Sequence, residues 1–116
     1  MAIKEKIHGN VAVLEISGKL MGGNETRQIT KKVESLLRDG VKNIVIDLAN
    51  VNWMSSTGLG SIIESRRLIT DKNGVLKLSA VTEKVKSLLM ITQITNLFET
   101  YETADQAVAS FHQSSG

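Results

Sequence analysis

The sequence predicts a single α/β domain: a mixed sheet of four to five strands, parallel at its centre, with about four helices. Three observations carry this reading. Two strand-like runs open the chain on either side of a turn. After them, segments of helical period alternate with short apolar segments. One of those segments, "NIVIDL" (43–48), is apolar without alternation, as a strand covered on both faces must be. Such alternation implies right-handed crossovers and parallel neighbours in the sheet. A length of 116 residues fits one domain, expected over 1–112, with 113–116 as a flexible tail.

The elements follow in order. Proline is absent, so boundaries must come from glycine, asparagine and periodicity. "HGN" (8–10) turns a short first strand into "VAVLEIS" (11–17), where β-branched residues dominate. "GKLMGGN" (18–24) is the most glycine-rich connection, and Asn24 is the expected N-cap of a first helix. Ile29, Val33, Leu36 and Leu37 give that helix its buried stripe, and Asp39-Gly40 ends it. "NIVIDL" is the central strand. A loop leads to a second helix over roughly 57–71 with Leu59, Ile62, Ile63 and Ile69 inward, closed by Asn73-Gly74.

"VLKLSAV" (75–81) reads as the next strand. Thr82 is placed to cap a third helix carrying Val85, Leu88 and Leu89. A short strand near "LFETY" (97–101) precedes a last helix. There Thr103 and Gln106 have capping-box spacing, and Ala107, Val108 and Phe111 form the buried side.

Composition removes several function classes. Net charge is +2, but lysines and arginines are interleaved with acids, as in "TKKVESLLRDG", which describes solvated helix faces rather than a nucleic-acid surface. Four aromatic residues are too few for base-stacking platforms. Without cysteine there is no disulfide, thiolate chemistry or sulfur-ligated zinc, and His8 and His112 have no companion at ligand spacing. No metal, cofactor or catalytic residue is expected. No stretch approaches the ~18 apolar residues of a membrane span, and "MAIKEKIHGN" has no signal-peptide core, so a cytoplasmic setting is expected.

The segment "VNWMSSTGLGSII" (51–63) concentrates the chemistry. Ser55, Ser56 and Thr57 stand between the central strand and a helix start, the edge where open α/β sheets usually bind ligands and partners. Hydroxyls there suit a helix cap, a nucleophile or a phosphate acceptor. "GLG" is a poor dinucleotide fingerprint, since Ile63 stands where the third glycine belongs, and no P-loop Gly-Lys-Ser/Thr follows. A hydrolase elbow would need glycine in place of Met54, and the one later base is His112. Local physics does not choose an acceptor among the three neighbours.

With "LEISGKL" in the second strand and "IVIDLANVNWMSSTGLGSII" in the centre, the chain resembles the STAS domain family, in particular bacterial anti-sigma factor antagonists. The family signature, (Asp/Ser)-Ser-(Ser/Thr)-Gly-Leu-Gly, reads here Ser55-Ser56-Thr57-Gly58-Leu59-Gly60. The resemblance implies a non-enzymatic, partner-switching module. It would bind an anti-sigma factor that is also an ATP-dependent serine kinase and be released by phosphorylation at Ser56, with Ser55 and Thr57 as second candidates. A PP2C-type phosphatase would reverse the modification. The surface implied for the partner comprises Met21, Gly22, Gly23, Asn24, Trp53, Met54, Ser55, Ser56, Thr57, Gly58 and Leu59. Ser55 and Met21 stand where relatives often carry aspartate. That departure keeps open a STAS subunit of a lipid-transport ATPase or stressosome-like assembly, with a small serine hydrolase as the enzyme alternative.

Overall fold

In the computed structural model, which describes residues 1–92 and 95–113, the first strand β1 (Ala2–His8) turns back at Gly9-Asn10 onto β2 (Val11–Leu20). Then come α1 (Gly23–Arg38), β3 (Asn43–Met54), α2 (Ser56–Asp71), β4 (Val75–Ser79) and α3 (Glu83–Ile91). A 3₁₀ turn (Thr95–Leu97), β5 (Glu99–Tyr101) and α4 (Ala104–Gln113) complete the chain. The sheet order is β1-β2-β3-β4-β5, with β1 antiparallel to β2 and every other pair parallel. This is the mixed sheet with a parallel centre that the alternation of elements predicts.

Because side chains alternate across a strand, the sheet has two distinct faces. Ala12, Leu14, Ile16, Ile44, Ile46, Leu48, Leu76 and Leu78 form one, buried under Ile29, Val33 and Leu36 of α1, Leu59, Ile62 and Ile69 of α2, and Val85 and Leu89 of α3. The other carries the smaller cluster Val11, Val13 and Val45, covered by Ala107 with Val108 and Phe111 of α4. Val108 and Phe111 are only half-buried, because α4 lies across the sheet without a second helix to enclose it. Beneath α4, the nearly buried Lys77 donates to Ser110 Oγ at 2.7 Å, and its Nζ lies 4.2 Å from the Phe111 ring centroid.

Helix ends follow the punctuation closely. After α1, the Gly40 N–H donates to the Leu37 carbonyl at 3.0 Å and the Val41 N–H to Leu36 at 2.9 Å, a Schellman closure. Asn73 and Gly74 close α2 in the same way, onto Thr70 and Ile69. At α4, Thr103 Oγ1 accepts from the Gln106 N–H at 3.1 Å, while Gln106 Oε1 accepts from Glu102 rather than from Thr103 itself.

Four boundaries differ from expectation. Asn24 is not the cap of α1: the helix starts at Gly23, with Gly22 at the cap position (φ 95°) and no side chain serving it. Thr82 occupies the backbone cap position of α3, but its hydroxyl accepts nothing there. β4 stops at Ser79, since Ala80 takes φ 53° and turns its N–H to the Tyr101 carbonyl. The largest difference is β3, which continues to Met54 instead of ending at Leu48. Two register slips against β2 accommodate the extra residues, and an Asp47 Oδ1 bond to the Ala49 N–H (2.9 Å) sets the bend. The helix α4 runs through Gln113, and residues 114–116 of the expected tail lie outside the described residues.

Candidate functional site at the start of α2

The extension of β3 delivers its end beside the end of β2, pairing Lys19 with Trp53 and Leu20 with Met54. One residue later the Ser55 N–H donates to the Leu20 carbonyl at 2.9 Å, which pins the strand–helix corner. Ser55 is the N-cap of α2: its backbone is extended and its Oγ accepts from the Gly58 N–H at 2.9 Å. The same hydroxyl lies 3.4 Å from the Leu20 carbonyl. The Leu59 N–H is taken by the Ser55 carbonyl at 2.8 Å, as the first rung of the helix. The first-turn donors left without an intrahelical acceptor are therefore those of Ser56 and Thr57.

The three adjacent hydroxyls are thus in three different situations. Ser55 is half-buried and engaged in the cap. Thr57 is exposed, with its Cγ2 against Gly22: a Cβ built on Gly22 would stand 2.5 Å from that methyl. Ser56, at the first helical position, is exposed and its hydroxyl has no hydrogen-bond partner among the described residues. Gly58 is required by close approach, since a Cβ there would meet the Leu20 carbonyl oxygen at 1.9 Å. Gly60 faces open space.

Of the residues expected at a partner surface, Met21, Gly23, Asn24, Trp53, Ser56 and Thr57 are exposed and share this end of the sheet, while Gly22 and Ser55 are half-buried. Gly58 and Leu59 are buried, which corrects their placement on that surface, and Met54, also buried, meets it only as part of a groove wall. Met54 and Leu59 belong to the main core, and Gly58 is walled by β2. What spacing did not reveal is the part played by α3. A shallow groove of about 400 Å³ runs from Ser56 past Trp53 and Met54 to Lys84, Leu88 and Ile91 of α3. Lys84 holds its Nζ 5.6 Å from the Trp53 ring centroid. A second groove continues from Trp53 and Lys84 to Lys19, Met21 and Asn52. The two grooves contain two lysines and no carboxylate among their lining residues.

Neither groove contains a histidine, and the Ser56 hydroxyl meets no base, whereas an activated serine nucleophile needs a base within hydrogen-bond reach. His112 lies on α4, across the sheet from α2. No cluster of three metal-ligating side chains occurs among the described residues.

Comparison with known proteins agrees with the fold. The family model described as the STAS domain matches residues 2–107. A Paenibacillus polymyxa protein named anti-sigma F factor antagonist is 26% identical over 108 residues, spanning 93% of this chain and 92% of that protein. The anti-sigma-B factor antagonist of Staphylococcus aureus strain COL is 25% identical over 75 residues, 65% of this chain and 69% of its own. Among solved structures, a Thermotoga maritima protein assigned as an anti-sigma factor antagonist superposes with a TM-score of 0.84 at 25% identity, covering 93% and 92% of the two chains. The phosphorylated form of the Bacillus cell-fate determinant SpoIIAA shares the fold at a TM-score of 0.75 and 16% identity, over 95% of this chain and 99% of that one.

Proposed function

Because the chain belongs to the STAS domain family, we propose that it acts as an anti-sigma factor antagonist whose partner binding is switched off by phosphorylation of Ser56. The partner is an anti-sigma factor that is also a serine kinase, and a PP2C-type phosphatase resets the switch. The setting is the cytoplasm; no helix among the described residues is long and apolar enough to cross a membrane. The domain is a binder and a substrate, not a catalyst.

One observation carries the choice of residue. Capping is already done by Ser55, which leaves Ser56 exposed and without an internal partner. The kinase joins the Ser56 oxygen to the γ-phosphorus of ATP and breaks the β–γ bridge. ADP leaves, and the hydroxyl proton passes to a base on the kinase. The new group brings about −1.5 to −2 charges. Beside the N–H groups of Ser56 and Thr57 this favours the fold by only ~0.3–1 kcal/mol. Forced into a covered interface, the same charge costs several kcal/mol, roughly a hundredfold or more in affinity. Phosphate therefore acts on association and leaves the domain folded.

Incubation with the cognate kinase and ATP followed by peptide mass spectrometry tests this. The modification is expected at Ser56, and a phosphate found only outside residues 55–57 rejects the proposal. Ser56→Asp should bind the kinase about a hundredfold more weakly by calorimetry, and equal affinity rejects the switch. A second reading, a STAS subunit of a lipid-transport ATPase or stressosome-like assembly, is favoured by the apolar side chains of Ile91 at the end of the groove and of its neighbour Met90, 78% and 68% exposed. Recovery of a transporter subunit instead of a kinase by pull-down would select it.

A further inference from the structure

The lysines of this molecule differ in what holds them. Lys77 is tied by Ser110, by Glu99 at 3.4 Å and by the Phe111 ring. Lys86, on α3, pairs with Glu83 at 3.8 Å. Lys84, on the same helix, has no carboxylate partner among the described residues and lies instead over the Trp53 ring. It stands over the groove that ends at Ser56, and nothing acidic lines that groove to hold it in place. A cation over an aromatic face at 5.6 Å is weakly held, and a dianion within reach of its flexible stem is a stronger attractor.

We infer that Lys84 is the internal counter-ion of a phosphate on Ser56: it leaves the Trp53 ring, crosses the groove to the phosphate and closes the groove to a partner. The inference rests on the proposed modification at Ser56 and adds a second effect to it. Charge alone repels a partner. Lys84 drawn across the groove also removes the cavity between Trp53 and Leu88, and it uncovers one face of the indole. Lys19 is the natural control, because it lines the adjoining groove and not the one that contains Ser56.

The test uses the full chain with phosphoserine placed at position 56 by genetic encoding, so it does not depend on any kinase. If no kinase modifies Ser56 yet Lys84 captures the encoded phosphate, the functional reading fails and this inference stands. Phosphorus NMR titration should give a lower second phosphate pKa in the otherwise unchanged chain than in Lys84→Gln, while Lys19→Gln leaves it close to the unchanged value. Trp53 is the single tryptophan of the chain. Its emission in the phosphoserine protein should match that of unphosphorylated Lys84→Gln, because both lack the ammonium over the ring. Equal pKa values for the two lysine variants, or an emission spectrum that phosphate leaves unchanged, would overturn the inference.

Discussion

Alanine in place of Gly58 and alanine in place of Gly60 should move stability in opposite directions, although the two glycines stand two residues apart on one helix. At Gly58 the added Cβ would sit 1.9 Å from the Leu20 carbonyl oxygen, 2.6 Å from its carbon and 3.0 Å from its Cβ. Those obstacles are mostly backbone, so no rotamer relieves them and the first turn of α2 must withdraw from β2. Withdrawal stretches the Ser55 N–H bond to Leu20, worth ~0.5–1.5 kcal/mol, and disturbs the Ser55 cap, worth ~0.5–2 kcal/mol. Overpacking itself costs ~1–3 kcal/mol. A net loss of about 3 kcal/mol lowers the melting temperature by roughly 12 °C for a chain of this size. At Gly60 nothing lies within 4 Å of the added methyl, so relief of glycine's helix penalty should stabilise by ~0.5–1 kcal/mol. Calorimetric melting of the two variants beside the parent chain measures both. Losses of similar size in both, or a Gly58→Ala melting point within about 3 °C of the parent, would refute the steric account of this corner.

Other expectations concern single interactions. Ser55→Ala should cost about 1 kcal/mol in urea denaturation and Ser56→Ala less than ~0.5 kcal/mol; equal losses would undo the assignment of the cap to Ser55. Lys77→Ala removes the buried stem and its ammonium from beneath α4, at ~2–4 kcal/mol, whereas Lys77→Met keeps the stem and should cost less; faster amide exchange across residues 104–113 would show the loosened helix. On the outer face of α2 the Arg67 guanidinium hydrogen-bonds Glu64 and holds its carboxyl below the ordinary value. That interaction is present above the usual carboxylate range and fades as pH falls through the lowered folded value. An NMR titration should place the Glu64 midpoint higher in Arg67→Gln than in the parent chain, and an unmoved midpoint would contradict the pairing.

Periodicity and punctuation made most of the architecture legible. The unbroken apolar run 43–48 marks the centre of the sheet because both faces there are covered, and glycine or asparagine after α1 and α2 marks the turns because those backbones need them. The second half of β3 was hidden. Its buried positions, Leu48, Val51 and Met54, fall three apart, since register slips break the alternation by which a strand is recognised. Asn24 misleads because it has the right chemistry for a cap one turn of logic too late: two glycines before it already start the helix. At the candidate site, the cluster of hydroxyls is visible in the sequence, but their division of labour is not. Which one caps depends on where Leu20 presents its carbonyl, thirty-five positions earlier in the chain. The contribution of α3 was likewise invisible, because Lys84 reaches Trp53 through the tertiary fold alone.

The paired slips between β2 and β3 have an evolutionary consequence. Side chains alternate with a period of two, so losing one residue between Asp47 and Trp53 with both slips kept would exchange the inward and outward roles of Trp53 and Met54 while the upstream half of the strand stayed in place. An indole would then be wedged into the hydrophobic interior and a thioether left at the mouth. Insertions and deletions in this short segment should therefore be purged more strictly than substitutions, and natural variation here should change residue type while conserving length.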